Sequence, residues 1–315
     1  MRLFSCTIDS FAVITAELPM DTHLSSPLET VVHSIQPGTL KSNIPRIELH
    51  VDQGQESENA CQYRAMACFI LQGSKRVSFG DKVLRYEAGH YLVSALDLPL
   101  MGQVYSDAQQ RPYVALTLVL DPVLLNELIL SMPVSSDGES SEFGLSTAPM
   151  NRELEDVLAR SLVLMGRPQD VPVLAPLLER ELLYRLLSGP HGKLLRQIAS
   201  AKGPLPKVRK AIGWIGQNFD RSFKVEDVGV ACGMSRASLN RSFREITGLS
   251  PLQYQKQLRL LEARRLLIGG EHNVSGAAFA VGYESSSQFS RDYLRHFEAT
   301  PSEDLRRTVH ANSGV

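Results

Sequence analysis

Two arginines fifty residues apart, Arg241 and Arg291, stand in the same local text, and that text suits the reading of DNA bases. Around the first are Leu239, Phe243, Ser250 and Pro251; around the second are Phe289, Tyr293, Thr300 and Pro301. A guanidinium presents a fork of donors that matches the O6 and N7 acceptors of guanine in the major groove, the commonest specific base contact. On a helix whose apolar stripe faces inward, the opposite face carries Ala237, Ser238, Asn240, Arg241 and Arg244 in the first copy. In the second it carries Ser286, Ser287, Gln288, Ser290 and Arg291. Small polar side chains beside arginine let a helix come close to base edges, so these ten residues are the candidate DNA contacts. Leu239, Phe243, Phe289, Tyr293 and Phe297 recur at helical spacing and are expected in the core. Arg264 and Arg265 are expected on a solvated face.

The elements that must position these side chains are legible as a repeat, which is read before anything else. Upstream of the arginines the offset becomes 49, pairing Val225 with Val274, Val228 with Ala277 and Gly233 with Gly282, so the second copy has one extra residue in its turn. A small residue, Gly229 or Ala278, stands four before the glycine, which suits two helices crossing closely through a turn of positive φ. Ser235 and Ser285 are placed to N-cap the second helix of each unit. Thr247-Gly248 can end the first recognition helix. Ser250-Pro251-Leu252-Gln253 then gives an N-cap, a proline at the first helical position and a capping-box glutamine, and Thr300-Pro301-Ser302-Glu303 repeats the signal with glutamate. One helix is predicted from Pro251 to Ile268, with Leu258, Leu261, Ala263 and Leu266 available for packing on both units. At about 1.5 Å per residue it is a strut of roughly 25 Å, able to hold two recognition helices near the roughly 34 Å spacing of successive major grooves.

The stretch from Lys207 to Arg307 resembles the DNA-binding domain of the AraC/XylS family of bacterial transcription regulators. The matching text is Gly233-Met234-Ser235, Leu239-Asn240-Arg241-Ser242-Phe243, Thr247-Gly248-Leu249-Ser250-Pro251, Gly282-Tyr283-Glu284-Ser285, Phe289-Ser290-Arg291 and Pro301. The resemblance implies that Ala237, Asn240 and Arg241, and Ser286, Ser287, Gln288, Ser290 and Arg291, approach bases. It further implies double-stranded promoter DNA and RNA polymerase as partners, and activation rather than repression. Two positions depart from the family pattern. Glu298 stands where a glycine follows the phenylalanine, and Gly229 replaces an alanine, at an expected cost of about 1 kcal/mol in helix propensity.

The chain has 315 residues and a formal net charge of −1, a length that suits two domains and a charge that looks wrong for a nucleic-acid binder. Splitting it at Lys207 resolves the conflict. From there onward 16 Lys and Arg stand against 11 Asp and Glu, whereas the preceding part has 17 against 23. The basic part can gain affinity by releasing counterions from phosphates. Cysteines 6, 61, 68 and 232 show neither metal-ligand spacing nor a disulfide pattern, so reduced thiols in the cytoplasm are expected. Met1 to Met20 carries Arg2, Asp9 and Glu17 among its apolar residues and does not read as a signal peptide or a membrane span.

From about His23 to Leu120 short apolar runs alternate with turn residues, the pattern of antiparallel strands. Cys68 to Leu71 reads as a buried strand ended by Gln72-Gly73, and Lys75 to Phe79 and Lys82 to Tyr86 as a hairpin around Gly80-Asp81. His90 to Ser94 and Tyr113 to Leu120 read as further strands. Such spacing predicts a small barrel or jelly roll. The segment resembles the N-terminal cupin-like domain found in one branch of the same family, through Leu71-Gln72-Gly73-Ser74-Lys75-Arg76-Val77, Gly89-His90-Tyr91-Leu92, Asp97-Leu98-Pro99-Leu100 and Arg111-Pro112-Tyr113. That resemblance implies control by a small effector of unstated identity. Tyr63, Cys68, Phe79 and Tyr91 are the inward-facing candidates for touching it, with core packing as their other role.

Cupins also include metal-dependent enzymes, and such an enzyme is the rival reading. It needs clustered ligands, whereas His23, His33, His50 and His90 are isolated, and no phosphate loop or nucleophile and base pair is evident. No catalytic residue, metal or cofactor is therefore expected. A second rival is an architectural protein that coats DNA without sequence choice.

After Asp121 the pattern becomes helical. Asn151 to Met165 and Val171 to Leu187 read as an antiparallel pair joined at Gly166-Arg167-Pro168, the second with a stripe of Leu174, Leu177, Leu178, Leu182 and Leu186. The pair either packs on the barrel or, as the resemblance implies, forms a homodimer interface. Ser135 to Ser141 reads as a loop and Ser200 to Pro206 as the interdomain linker. The expected architecture is thus α+β and multidomain. Residues 1–199 form a cupin-like effector and dimerisation domain whose helical hairpin occupies about 149–199. Residues 200–206 form a linker, and 207–310 an all-α double helix-turn-helix domain. The expected function is sequence-specific transcription regulation under effector control in the cytoplasm.

Overall fold

A computed structural model describes residues 26–35, 42–54, 59–79, 82–133, 144–200 and 202–312, and its contacts separate Met1–Pro206 from Lys207–Val315. In the first unit the chain runs α1 (Ser26–His33), β1 (Ile47–Asp52), β2 (Asn59–Tyr63), β3 (Met66–Gln72), β4 (Ser74–Phe79), β5 (Lys82–Glu87), β6 (His90–Ser94), β7 (Leu98–Tyr105) and β8 (Tyr113–Val119). It continues with α2 (Pro122–Ser131), β9 (Leu145–Pro149), α3 (Arg152–Met165), α4 (Val171–Ser188) and α5 (Gly192–Ala199). The strands form two antiparallel sheets, β1-β8-β3-β6-β9 and β2-β7-β4-β5, which make the cupin-like barrel.

The central strand explains itself. β3 is buried at every residue and apolar from Met66 to Leu71, as befits a strand covered on both faces. Its exit needs glycine: Gly73 has φ +78, and a Cβ there would stand 2.3 Å from the Tyr105 carbonyl oxygen. β4 and β5 pair from Ser74 opposite Glu87 to Phe79 opposite Lys82. The Gly80-Asp81 turn between them lies outside the described residues, as do His23 and the Ser135 to Ser141 loop.

Three short elements correct the sequence reading. Residues 26–33, expected among strands, form α1, because Leu28 and Val32 recur four apart and bury one helix face. Residues 145–149, in a region read as helical, form β9 and complete the sheet edge beside β6. The helical pair gains a third member, α5, whose Leu194, Leu195 and Ile198 are buried.

The pair itself forms, with Asn151 accepting from the Leu154 N–H at 2.9 Å to cap α3. Arg46, just before β1, ties α4 to the barrel by a two-pronged bond to Glu179 at 2.5 and 2.6 Å. The expected single stripe on α4 divides into two. Leu178, Leu182 and Leu186 are buried, while Leu174 and Leu177 join Val173 and Tyr184 on an exposed face.

The second unit is all helical: α6 (Pro204–Asn218), α7 (Val225–Cys232), α8 (Arg236–Thr247), α9 (Pro251–Ile268), α10 (Val274–Ala280), α11 (Ser286–Phe297) and α12 (Pro301–Asn312). Pro204, Leu205 and Pro206, read as linker, open α6, and Leu205 is buried. Proline is tolerated there because first-turn N–H groups have no helical partner. Ser250 Oγ accepts from Gln253 N at 3.3 Å and Gln253 Oε1 accepts from Ser250 N at 2.9 Å, so α9 starts at a complete capping box.

α9 is buried on several sides, through Tyr254, Leu260, Ala263, Leu266 and Leu267, because both helix-turn-helix units pack on it. Leu258 and Leu261 are half-buried. Arg264, expected in solvent, is 4 % exposed and paired with Asp304, whereas Arg265 is exposed. About one turn after buried Leu260, Arg264 lies on the side that α12 covers, and a long-range partner permits its burial.

Candidate nucleic-acid interface

Each unit turns on a glycine. Gly233 ends α7 at φ +68 and Gly282 follows α10 at φ +85. Met234 N donates to Gly229 O at 2.9 Å and, in the second unit, Tyr283 N to Ala278 O at 3.0 Å. A Cβ at Gly229 would meet Met234 O at 2.6 Å, so the first turn crosses its helix too closely for alanine. The propensity lost at Gly229 thus accompanies a tighter crossing. The second turn has room for one more residue, Glu284, before Ser285.

The second helices of the two units are α8 and α11. In α8, Leu239, Ser242, Phe243, Ile246 and Thr247 are buried. Ala237, Arg241 and Arg244 are exposed, and Ser238 and Asn240 half-buried, so all five lie on or beside the outward face. Asn240, Arg241, Arg244 and Glu245 line one shallow depression. Among the described residues neither the Arg241 nor the Arg244 guanidinium has a protein partner. Ser235 accepts from Ser238 N at 3.3 Å and caps the helix.

In α11, Phe289 and Tyr293 are buried and Phe297 packs half-buried against the same core. Ser287, Gln288 and Arg291 are exposed, with Ser286 and Ser290 half-buried. Arg291 makes a single long contact at 3.4 Å to the Ser287 carbonyl of its own helix. Ser285 occupies the N-cap without a side-chain cap bond. Each helix N-terminus adds a partial positive charge that favours phosphate.

Three exposed side chains at the repeat positions escaped the sequence reading. Leu294, 46 % exposed, occupies the place of Arg244, and Arg295 follows it. Arg236, at the start of α8, pairs with Glu226 at 2.8 Å. The fifty-residue offset applied to Arg244 would have found Leu294. Glu298 takes φ +54, the left-handed conformation that Gly248 takes at φ +76 in the first unit.

In the barrel, a cavity of about 500 Å³ opens between the sheets and is lined by His50, Tyr63, Cys68, Lys75, Tyr113 and Thr117, among others. It brings together two of the four effector candidates, Tyr63 and Cys68. Phe79 is buried without reaching it. Tyr91 points to the other side of the sheet, against Phe69 and the ring of His191, 5.0 Å away edge-on. The register sets this: Cys68 faces Thr117 across β3 and β8, while Phe69 and Tyr91 share the layer under the helices. Burial pushes the Tyr91 hydroxyl up to about 12 and His191 down to about 4. His50 is lowered by burial and then by Lys75, with Glu48 opposing. Among the described residues no group of three His, Cys, Asp or Glu side chains is placed to hold a metal ion, and no helix is long and apolar enough to cross a membrane.

Residues 43–194 match the family model described as the AraC-type transcriptional regulator N-terminus, and residues 230–307 match that of a helix-turn-helix domain. The HTH-type transcriptional activator RhaS of Salmonella schwarzengrund (strain CVM19633) is 30% identical over 159 residues, 50% of this chain and 53% of RhaS. The chain therefore spans about half the length of the curated relatives it matches. ToxT from Vibrio cholerae O395, solved with (E)-4-(8-methylnaphthalen-1-yl)but-3-enoic acid, aligns at a TM-score of 0.54 and 13% identity over 84% of this chain and 99% of that one. An apo ToxT variant from strain SCE256 aligns at 0.52 and 13% over 84% and 98%. These two likenesses are of fold.

Proposed function

The chain belongs to the AraC-type transcriptional regulators, and we propose that it activates transcription by reading an asymmetric promoter site with α8 and α11 under control of a small effector. The observation that carries this reading is the placement of Arg241 and Arg291. They stand at one repeat position on two exposed helix faces, and among the described residues neither is engaged by an acidic side chain. The remaining candidate contacts are Ala237, Ser238, Asn240 and Arg244 on α8, and Ser286, Ser287, Gln288 and Ser290 on α11. RNA polymerase is the proposed partner in activation, by analogy with the activator RhaS, and the cytoplasm the proposed site of action.

Residues 1–199 are the proposed sensor and dimeriser. The cavity between the sheets is within the usual size of a small-molecule site, about 300–1,000 Å³, and its mixture of Lys75, His50 and two tyrosines suits a polar ligand. The exposed face of α4, with Val173, Leu174, Leu177 and Tyr184, is apolar enough to meet a second copy of the chain. An effector that binds one arrangement of domains better than another would shift the population by its differential affinity and change how residues 207–310 are presented to DNA. The reading assigns the chain no catalysis.

Genome-wide footprinting tests it. A few sharp sites are expected, each upstream of a transcription unit whose expression falls when the chain is deleted. Diffuse coverage would make the protein architectural, and expression that only rises on deletion would make it a repressor.

A further inference from the structure

Besides sharing α9, the two helix-turn-helix units meet at one loop. Phe219, between α6 and α7, packs against the core of the second unit, so a residue that precedes the first unit helps to close the second. Side chains of α9 take up the carbonyls of this loop. Gln255 Nε2 donates to Phe219 O at 3.0 Å and Arg221 O at 2.8 Å. Arg259 Nε donates to Phe219 O at 2.5 Å, while its Nη1 donates to Gly282 O at 2.8 Å. Gly282 is the turn glycine of the second unit, and a Cβ there would stand 1.7 Å from Asp220 O. Loop and turn are therefore in backbone contact, and one planar fork holds both.

We propose that Arg259 is a positioning residue for DNA reading: by bridging Phe219 and Gly282 it fixes the separation and rotation of α8 and α11, and hence the number of base pairs between their two half-elements. This rests on the reading that both helices enter the major groove. Arg259 is half-buried and spends two of its donors inside the protein, which sets it apart from the outward guanidinium of Arg241. Lysine, a point charge without the fork, cannot hold two carbonyls on separate elements in the same way. Inserting one base pair between the half-elements moves one by about 3.4 Å and turns it by roughly 35° relative to the other. A rigid pair of helices cannot follow that displacement, and a loosened pair can.

The experiment uses the full chain and the site it enriches from random-sequence duplexes, with one base pair then inserted between the two protected elements. The wild type is expected to lose at least about tenfold in affinity on insertion, the contribution of one unit's base contacts. Arg259→Ala and Arg259→Lys are expected to bind the original site more weakly yet to lose less than about threefold on insertion. Because the insertion penalty is a ratio taken within each variant, a smaller folded fraction cancels from it, and Arg259→Lys carries the test if Arg259→Ala does not fold. An unchanged penalty in Arg259→Lys, or a wild type indifferent to the insertion, overturns the positioning role and leaves the DNA reading standing. A wild type that enriches no sequence overturns the DNA reading and the proposal with it.

Discussion

Where the first helix-turn-helix packs Phe243 edge-on against Tyr254 with ring centres 5.6 Å apart, the second, fifty residues on, sets Tyr293 against Asp304. The Tyr293 hydroxyl donates to Asp304 Oδ2 at 2.6 Å, and Arg264 approaches the same carboxylate with Nε at 2.7 Å and Nη2 at 3.1 Å. Burial, and then Asp304, hold the Tyr293 hydroxyl well above its usual range. The contrast runs on along the repeat. Ile246 is replaced by His296, Gly248 by Glu298, Arg244 by Leu294, and a capped Ser235 by an uncapped Ser285. One backbone plan is thus held in two ways, by apolar packing with a capped α8 in the first unit and by a buried charged network with an uncapped, strained-ended α11 in the second. The second should be the more sensitive to pH and to single substitutions.

The network offers the largest test. Asp304→Ala leaves Arg264 buried without its carboxylate, which typically costs about 3–5 kcal/mol, read as an earlier C-terminal transition in urea denaturation of the full chain. A loss below about 1 kcal/mol would mean that the pair contributes no more than a surface ion pair. The comparison is sharpened by grafting the first unit's solution onto the second, as Tyr293→Phe, Asp304→Tyr and Arg264→Met together. A well-packed apolar replacement of a buried ion pair is commonly neutral or stabilising by about 1–4 kcal/mol.

His296 supplies the next effect. Burial first, then Lys256 and Arg264, push it down to about 4, whereas an unfolded histidine titrates near 6.5. As pH falls the unfolded chain takes up this proton first, so the stability associated with neutral His296 is intact above about pH 6.5 and is lost progressively toward pH 4. At about 1.4 kcal/mol per unit, the loss is at most about 3.5 kcal/mol. His296→Leu, which copies the aliphatic character of Ile246, should flatten the stability profile over that window. An unaltered slope would place the acid sensitivity elsewhere.

The sequence made local chemistry legible and long-range partnership opaque. The capping box at Ser250, the cap at Ser235, the positive φ of Gly233 and Gly282 and the extent of α9 follow from residues within one or two turns of each other. Arg264 looked solvated because its partner Asp304 is forty residues away and becomes its neighbour only when α12 folds back on α9. α1, β9 and α5 are each eight residues or fewer, too short for periodicity to separate them from their surroundings. In the barrel, inward residues were identifiable as apolar, but which side of the sheet they occupied was not. The order β1-β8-β3-β6-β9 puts Cys68 toward the cavity and Tyr91 beneath the helices, and no local pattern encodes that order. The equivalence of Arg241 and Arg291 is legible because a repeat reports equivalent positions without any tertiary information. Nothing local in the sequence singles out Arg259, because its partners are backbone carbonyls on distant segments.

Unequal faces should give unequal reading. Arg241→Ala and Arg291→Ala are each expected to reduce discrimination at a different base pair by about 1–3 kcal/mol, roughly tenfold to a hundredfold, measured by competition among single-base variants of the selected site. Equal weakening on all variants would reduce the arginines to phosphate contacts. Leu294 sharpens the difference between the units, since an aliphatic side chain can meet a thymine methyl but adds nothing at a phosphate. Leu294→Arg, which copies Arg244, should therefore steepen the salt dependence of binding by about one counterion.

The smallest effect lies in the cap that ends α11. Glu298 adopts a left-handed conformation that costs an ordinary L-residue about 1–2 kcal/mol and a glycine almost nothing. Glu298→Gly should stabilise the second unit by up to about 1 kcal/mol, the remainder being offset by the greater freedom of glycine in the unfolded chain. The reciprocal change, Gly248→Glu, imposes the same strain on the first unit and should destabilise it by a similar amount. If the two substitutions shift the unfolding midpoint of the full chain in opposite directions and by like amounts, backbone strain alone separates the two caps. If Glu298→Gly instead weakens the fold, the glutamate side chain supports its helix end by a contact that outweighs the strain, and the second unit is less burdened at this position than its φ of +54 implies.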